Sequence, residues 1–197
     1  MAMRIKLKTI LPGALFLISV PLTWANDGTL TVSGKISDGT CSVTGAAAEG
    51  GTPSTNATIL LPKVSTRLTN GTSGDVSRFY IYLKGCKATA ALKNIVVGFH
   101  ANNIYDDYRL TNTTANGAGN LGIEILHWYE QTSWGSPSSG VTMSFSGYTD
   151  SRSIIALPQG QEDITIMYGA GYRKLDPAKP ITAGRITSTA WYEVTYF

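Results

Sequence analysis

Between Ile186 and Tyr196 the 197-residue chain alternates with a period of two. Ile186, Ser188, Ala190, Tyr192, Val194 and Tyr196 fall on one side of an extended strand, and Thr187, Thr189, Trp191, Glu193 and Thr195 fall on the other. No helix can sort these residues onto two faces, because its period is 3.6. Shorter runs rich in Val, Ile, Thr and Tyr recur at 29–37, 58–61, 78–83, 94–100, 121–128, 141–145 and 163–172. Clusters of Gly, Ser, Asn and Pro separate them at 45–53, 70–74, 112–120, 134–140 and 175–184, and 45–58 reads as a mobile loop. Helical periodicity is almost absent after the first 25 residues, so the pattern predicts an all-β fold, a sandwich, in one domain.

The first 25 residues read differently. Arg4, Lys6 and Lys8 form a basic head, an apolar stretch runs over 10–22, and Thr23, Trp24 and Ala25 make a small-residue end. This is the pattern of a removable export signal, too short to cross a bilayer, with Asn26 as the first mature residue. Three of the 16 Lys and Arg lie in that segment and none of the 13 Asp and Glu do, so the remainder carries equal numbers of each sign. That balance argues against nucleic acid or an anionic membrane surface as partner, and no membrane span is expected. In an exported chain the even count of two cysteines, Cys41 and Cys86, predicts one disulfide. Neither has a partner at metal-ligand spacing, and His100 and His127 are isolated, so no metal or cofactor is expected.

Catalysis finds no support. The chain has no Gly-x-Ser-x-Gly elbow, no His-Glu-x-x-His and no phosphate loop, and Asp106-Asp107 reads as a solvated turn. An alternative is a secreted carbohydrate-binding adhesin domain with a complete sandwich. Its motive is the aromatic stretch holding Trp128, Tyr129 and Trp134, whose rings read more readily as core or interface filling.

In the first mature segment Leu30, Val32, Gly34 and Ile36 share one strand face. A glycine inside such a strand marks either a bulge or a place where something approaches closely. The segment Asp27-Gly28-Thr29-Leu30-Thr31-Val32-Ser33-Gly34-Lys35-Ile36, followed by Cys41, resembles the start of the pilins of type 1 and P fimbriae. Gly184, fourteenth from the last residue, and the penultimate aromatic Tyr196 are similar to that family's chaperone-recognition motif. Leu61-Pro62-Lys63, the run from Phe79 to Cys86, and Gly122-Ile123-Glu124-Ile125-Leu126 resemble its middle.

The resemblance implies a structural, non-enzymatic subunit of a chaperone–usher fimbria, exported through the periplasm to the cell surface. The implied fold is an incomplete immunoglobulin-like sandwich over 38–197, completed by a donor strand from a neighbouring subunit. Residues 26–37 would be that donor, unpaired in its own fold, with Leu30, Val32 and Ile36 filling pockets and Gly34 sitting where there is no room for a side chain. Gly184, Ile186, Ala190, Tyr192, Val194 and Tyr196 would line the acceptor groove and bind a periplasmic chaperone, whose basic residues would hold the carboxylate of Phe197. The implied partners are neighbouring pilin subunits in a homopolymer, the chaperone and an outer-membrane usher.

Overall fold

The computed structural model describes residues 28–36, 40–68, 76–128, 140–147 and 149–197. The predicted export signal, Asn26, Tyr129 and Trp134 lie outside the described residues, as do the side chains of Lys35 and Ile36.

Two sheets face each other. One has the order β10 (Ile155–Ala156), β5 (Asn94–His100), β12 (Ile186–Tyr196), β1 (Gly28–Ile36), β3 (Asn56–Leu61). The other runs β2 (Ser42–Ala48), β4 (Ser77–Cys86), β11 (Glu162–Lys174), β8 (Leu121–Trp128), β7 (Arg109–Leu110), β6 (Ile104–Asp106), with β9 (Gly140–Thr142) paired to β8. Period-two burial is clean where one face meets the core: Ala57, Ile59 and Leu61 of β3 are buried while Asn56, Thr58 and Leu60 are exposed. Strand β8 is buried on both faces.

An aromatic cluster joins the sheets. Tyr168 of β11 stacks on Phe79 of β4 with centroids 5.5 Å apart, and Phe99 of β5 meets Tyr168 edge-on at 5.1 Å. Tyr192 of β12 lies 6.3 Å from Phe99. These rings fill the centre of the sandwich, where edge-on and offset contacts suit their quadrupoles.

Strand β2 departs from the sequence expectation, which placed a breaker at 45–53 within a mobile loop. Residues Gly45 to Ala48 are extended and paired with Tyr82, Ile81, Tyr80 and Phe79 of β4. Three consecutive alanines have little strand propensity, but burial of Ala46 and Ala47 beside β4 overrides it. Gly45 sits at a register shift with φ 132°, and a Cβ there would lie 2.6 Å from the carbonyl carbon of Ser54. The glycine that looked like a breaker is a bulge inside a strand.

His127 of β8 is 3% exposed, packs 5.1 Å from the Tyr168 ring, and its Nδ1 has no partner among the described residues. Desolvation lowers its pKa to about 4, below the ordinary value of 6.5. The unfolded chain therefore binds this proton more readily than the folded one. Stability from this group is intact above the ordinary value and falls as pH drops from there towards 4. The expected loss is about 3 kcal/mol in urea unfolding across that interval, and His127→Phe should flatten it; equal slopes for the two proteins would refute the assignment.

Candidate functional site: a strand groove

The N-terminal strand does not stand apart from its own subunit, as the sequence led one to expect. It occupies the gap between β12 and β3, parallel to the first and antiparallel to the second. The pairing sets Gly28 beside Ile186, Leu30 beside Ser188, Val32 beside Ala190, Gly34 beside Tyr192 and Ile36 beside Val194. On its other edge Gly28, Leu30 and Val32 meet Leu61, Ile59 and Ala57. A single chain with an apolar strand at its start and an unpaired strand edge at its end satisfies both by joining them.

Side-chain size is complementary along the groove. Leu30 and Val32 are fully buried where β12 presents Ser188 and Ala190. At both ends a glycine meets a tyrosine. A Cβ on Gly34 would overlap the Tyr192 ring, with Cε2 at 2.5 Å, and one on Gly28 would overlap Tyr172 of β11, with Cε1 at 2.9 Å. Gly34 is thus a close-approach residue rather than a bulge, since the β1–β12 register runs through it unbroken. Gly28 is a second seat that sequence reasoning missed, although it falls on the same alternating face.

The groove wall is built from β12. Ile186, Ser188, Ala190, Tyr192, Val194 and Tyr196 are all buried, as the alternation predicts. Beyond β5, the loop at 111–118 covers the opening half of this strand. Asn112 spends its whole amide here: Oδ1 accepts from the N–H groups of Thr114 and Thr187 at 2.9 and 3.0 Å, and Nδ2 donates to the carbonyls of Ala118 and Arg185 at 3.0 and 2.9 Å. Gly184 passes so close to this loop that a Cβ would lie 2.5 Å from the Ala118 nitrogen. At the far end the main-chain oxygen of Phe197 accepts from Lys93 and Asn94 N–H, both at 2.8 Å, while its ring is 46% exposed.

The predicted disulfide is present. Cys41 and Cys86 are bonded with Cα atoms 4.2 Å apart, and the Tyr196 hydroxyl reaches the Cys41 carbonyl at 3.5 Å. The bridge therefore pins the chain five residues on from Ile36, beside the last residues of the groove wall.

Other sequence candidates lie elsewhere. His100 of β5 stacks on Trp191 with centroids 6.0 Å apart, on the other sheet from the buried His127. Asp106 is held by Arg109, which also donates to the Lys174 and Leu175 carbonyls. Trp128 lies over Gly169 against Val76, so its ring fills a packing site rather than standing open as a platform. Among the described residues no group of three His, Cys, Asp or Glu could hold a metal, and no helix is long and apolar enough to cross a membrane.

Filling either glycine seat should loosen the groove. Gly28→Ala and Gly34→Ala are each expected to lower unfolding stability by about 1–3 kcal/mol through overpacking, and unchanged urea midpoints would show that the tyrosines do not gauge the strand. Replacing both cysteines by alanine should remove about 4 kcal/mol, the chain-entropy value for a loop of this length, and a loss under 1 kcal/mol would show that the unfolded chain is already restricted.

No family model matches the chain. It is 32% identical over 191 residues to an F17 fimbrial protein of Escherichia coli, an alignment covering 93% of this chain and 95% of the relative. The fold is that of the P pilus rod subunit PapA, at 18% identity, TM-score 0.53 and coverage of 80% of this chain and 99% of the other. It is also that of a chaperone–usher pilus subunit whose structure bears on rod uncoiling, at 14% identity, TM-score 0.55 and coverage of 96% and 100%. An immunoglobulin-like sandwich, a disulfide at Cys41 and Cys86, and an F17 fimbrial relative matched over nearly its whole length agree: the chain belongs to the chaperone–usher fimbrial subunits and is a structural subunit of a pilus.

Proposed function

We propose that residues 26–37 leave their own groove during assembly and complete the sandwich of a neighbouring subunit, so that the chain polymerises by exchanging strands. The observation that carries this reading is that β1 fills the centre of one sheet, between β12 and β3, while the strand that follows it in sequence, β2, belongs to the other sheet. Withdrawing it breaks its ladders to β12 and β3 and leaves the other strand pairings as they are. Its affinity comes from burying Leu30 and Val32, about 1.5–3 kcal/mol each, and from main-chain bonds at about 1 kcal/mol each. Its specificity comes from the glycine seats.

The wall residues Gly184, Ile186, Ala190, Tyr192, Val194 and Tyr196 then serve two partners in turn. A periplasmic chaperone covers the groove of the newly exported subunit, and the strand of the next subunit replaces it at an outer-membrane usher. The Phe197 main-chain oxygen, held here by two amide N–H groups, would exchange them for basic chaperone residues at that stage. An open groove is an aggregation hazard, which supplies the physical need for such a partner. The product is a surface homopolymer with no enzymatic role.

Deleting 26–37 tests the reading. The shortened subunit should accumulate only with its chaperone and give no fibre in which it donates, and appending 26–37 after Phe197 through a short turn should restore a stable monomer. Normal fibres from the deleted subunit, seen by electron microscopy, would overturn it.

A further inference from the structure

We propose that Asn116 and Gly117 form a self-modifying site: when the loop that caps β12 is released, Asn116 deamidates through a cyclic imide, and the product with a lengthened main chain cannot rebuild the cap.

The cap is built around this pair. Loop 111–118 covers the half of β12 that β5 does not reach, and there the Thr113 N–H and hydroxyl both donate to the Thr187 carbonyl, at 2.8 and 2.9 Å. The loop turns back at 114–117, where the Gly117 N–H donates to the Thr114 carbonyl at 3.1 Å. The Ala118 N–H then donates to the Arg185 carbonyl at 2.9 Å. Asn116, the third residue of that turn, has φ 54°, a left-handed conformation that glycine and asparagine adopt most readily. A Cβ on residue 117 would overlap the Arg185 oxygen and lie 2.5 Å from Asn112 Nδ2. The geometry thus calls for asparagine or glycine at 116 and for glycine at 117. Asn116 is exposed, whereas the Asn112 amide is spent on four hydrogen bonds.

An asparagine followed by glycine is also the pair most open to intramolecular attack, because glycine has no side chain to shield its nitrogen. The chemistry needs only hydroxide and water. The Gly117 nitrogen loses its proton and bonds to Asn116 Cγ, the Cγ–Nδ2 bond breaks, and Nδ2 takes up a proton and leaves as ammonia. Water then opens the imide ring at one of its two carbonyls. Breaking the bond to Cγ gives aspartate in an ordinary main chain. Breaking the bond to the main-chain carbonyl gives isoaspartate, which routes the main chain through the side chain and adds one carbon to it.

The closed fold restrains the first step twice. The Gly117 proton is held by Thr114, and Gly117 is packed too tightly beneath the Arg185 carbonyl for its peptide group to swing behind Cγ. Both restraints vanish once the loop leaves β12. The two products then part company. Aspartate at 116 stands at an exposed turn whose backbone it can adopt. The extra carbon of isoaspartate shifts Gly117 and Ala118 off Arg185 and breaks the loop's hold on the groove wall. Chains left open are thereby marked by their own backbone.

The full-length chain tests this, incubated in mildly alkaline buffer either folded or unfolded in guanidinium. Peptide mapping and isoaspartyl methyltransferase labelling of the peptide 110–152 read the site. Isoaspartate at 116 should form about tenfold or more slowly in the folded chain, because only molecules with the loop open react. Asn116→Gly, which keeps the turn, should give none and should regain its urea midpoint after the same incubation, controlling for the second pair, Asn70-Gly71. Refolded parent chains labelled at 116 should unfold at lower urea than fresh protein, while Asn116→Asp unfolds with it. Equal rates in folded and unfolded chains, or no isoaspartate in the unfolded chain, would overturn the site. Labelled chains that regain the fresh midpoint would overturn the dependence of the cap on this turn.

Discussion

The ladder between β1 and β12 is the contact on which the rest of this sandwich depends. Strand β12 carries Ile186, Ala190, Tyr192 and Val194 into the core with no exposure at all, and its other edge is already taken by β5 and the loop around Asn112. Remove β1 and a row of main-chain donors and acceptors faces water together with an apolar trough between β12 and β3. Each buried polar group left without a partner costs on the order of 1–3 kcal/mol, comparable with a whole side chain's burial. A domain of marginal stability does not survive several such losses, so the strand must be supplied from somewhere.

How the strand is recognised follows from volume. Interiors are packed as densely as crystals, so a residue beside Tyr192 or Tyr172 has to be small and one beside Ser188 or Ala190 has space to be large. The tyrosine rings act as end stops. Sliding the strand by two residues would bring Leu30 or Val32 under a ring, and sliding it by one would turn its apolar face to solvent. The same aromatic residues tie the groove to the opposite sheet, since Tyr172 comes from β11 and Tyr192 packs beside Phe99, which in turn meets Tyr168 of β11. Groove and core are one packed body, and a vacant groove loosens both.

On the proposed exchange the same contacts would serve closure within one chain and between chains, which would limit the free energy separating the two states. Withdrawal of β1 breaks two ladders at the centre of a sheet, so the closed subunit opens slowly. The disulfide takes part by fixing the root of the strand at the Tyr196 end of the wall.

The alternation from Ile186 to Tyr196 and from Leu30 to Gly34 determined by itself that these would be strands and which face would be buried, because period-two burial is a local property, and it left Gly34 open between a bulge and a close approach. The even cysteine count, read together with the expected export signal, foretold the bridge. Strand β2 was hidden because its alanines enter a sheet only through burial beside β4, and the Asn112 amide because four of its partners come from distant or turning backbone. Tertiary structure alone decided that the first strand closes on its own chain, in the parallel sense, and that Gly28 sits on Tyr172. Direction and partner depend on where a short tether is anchored in three dimensions, and no pattern of residues along one strand carries that information.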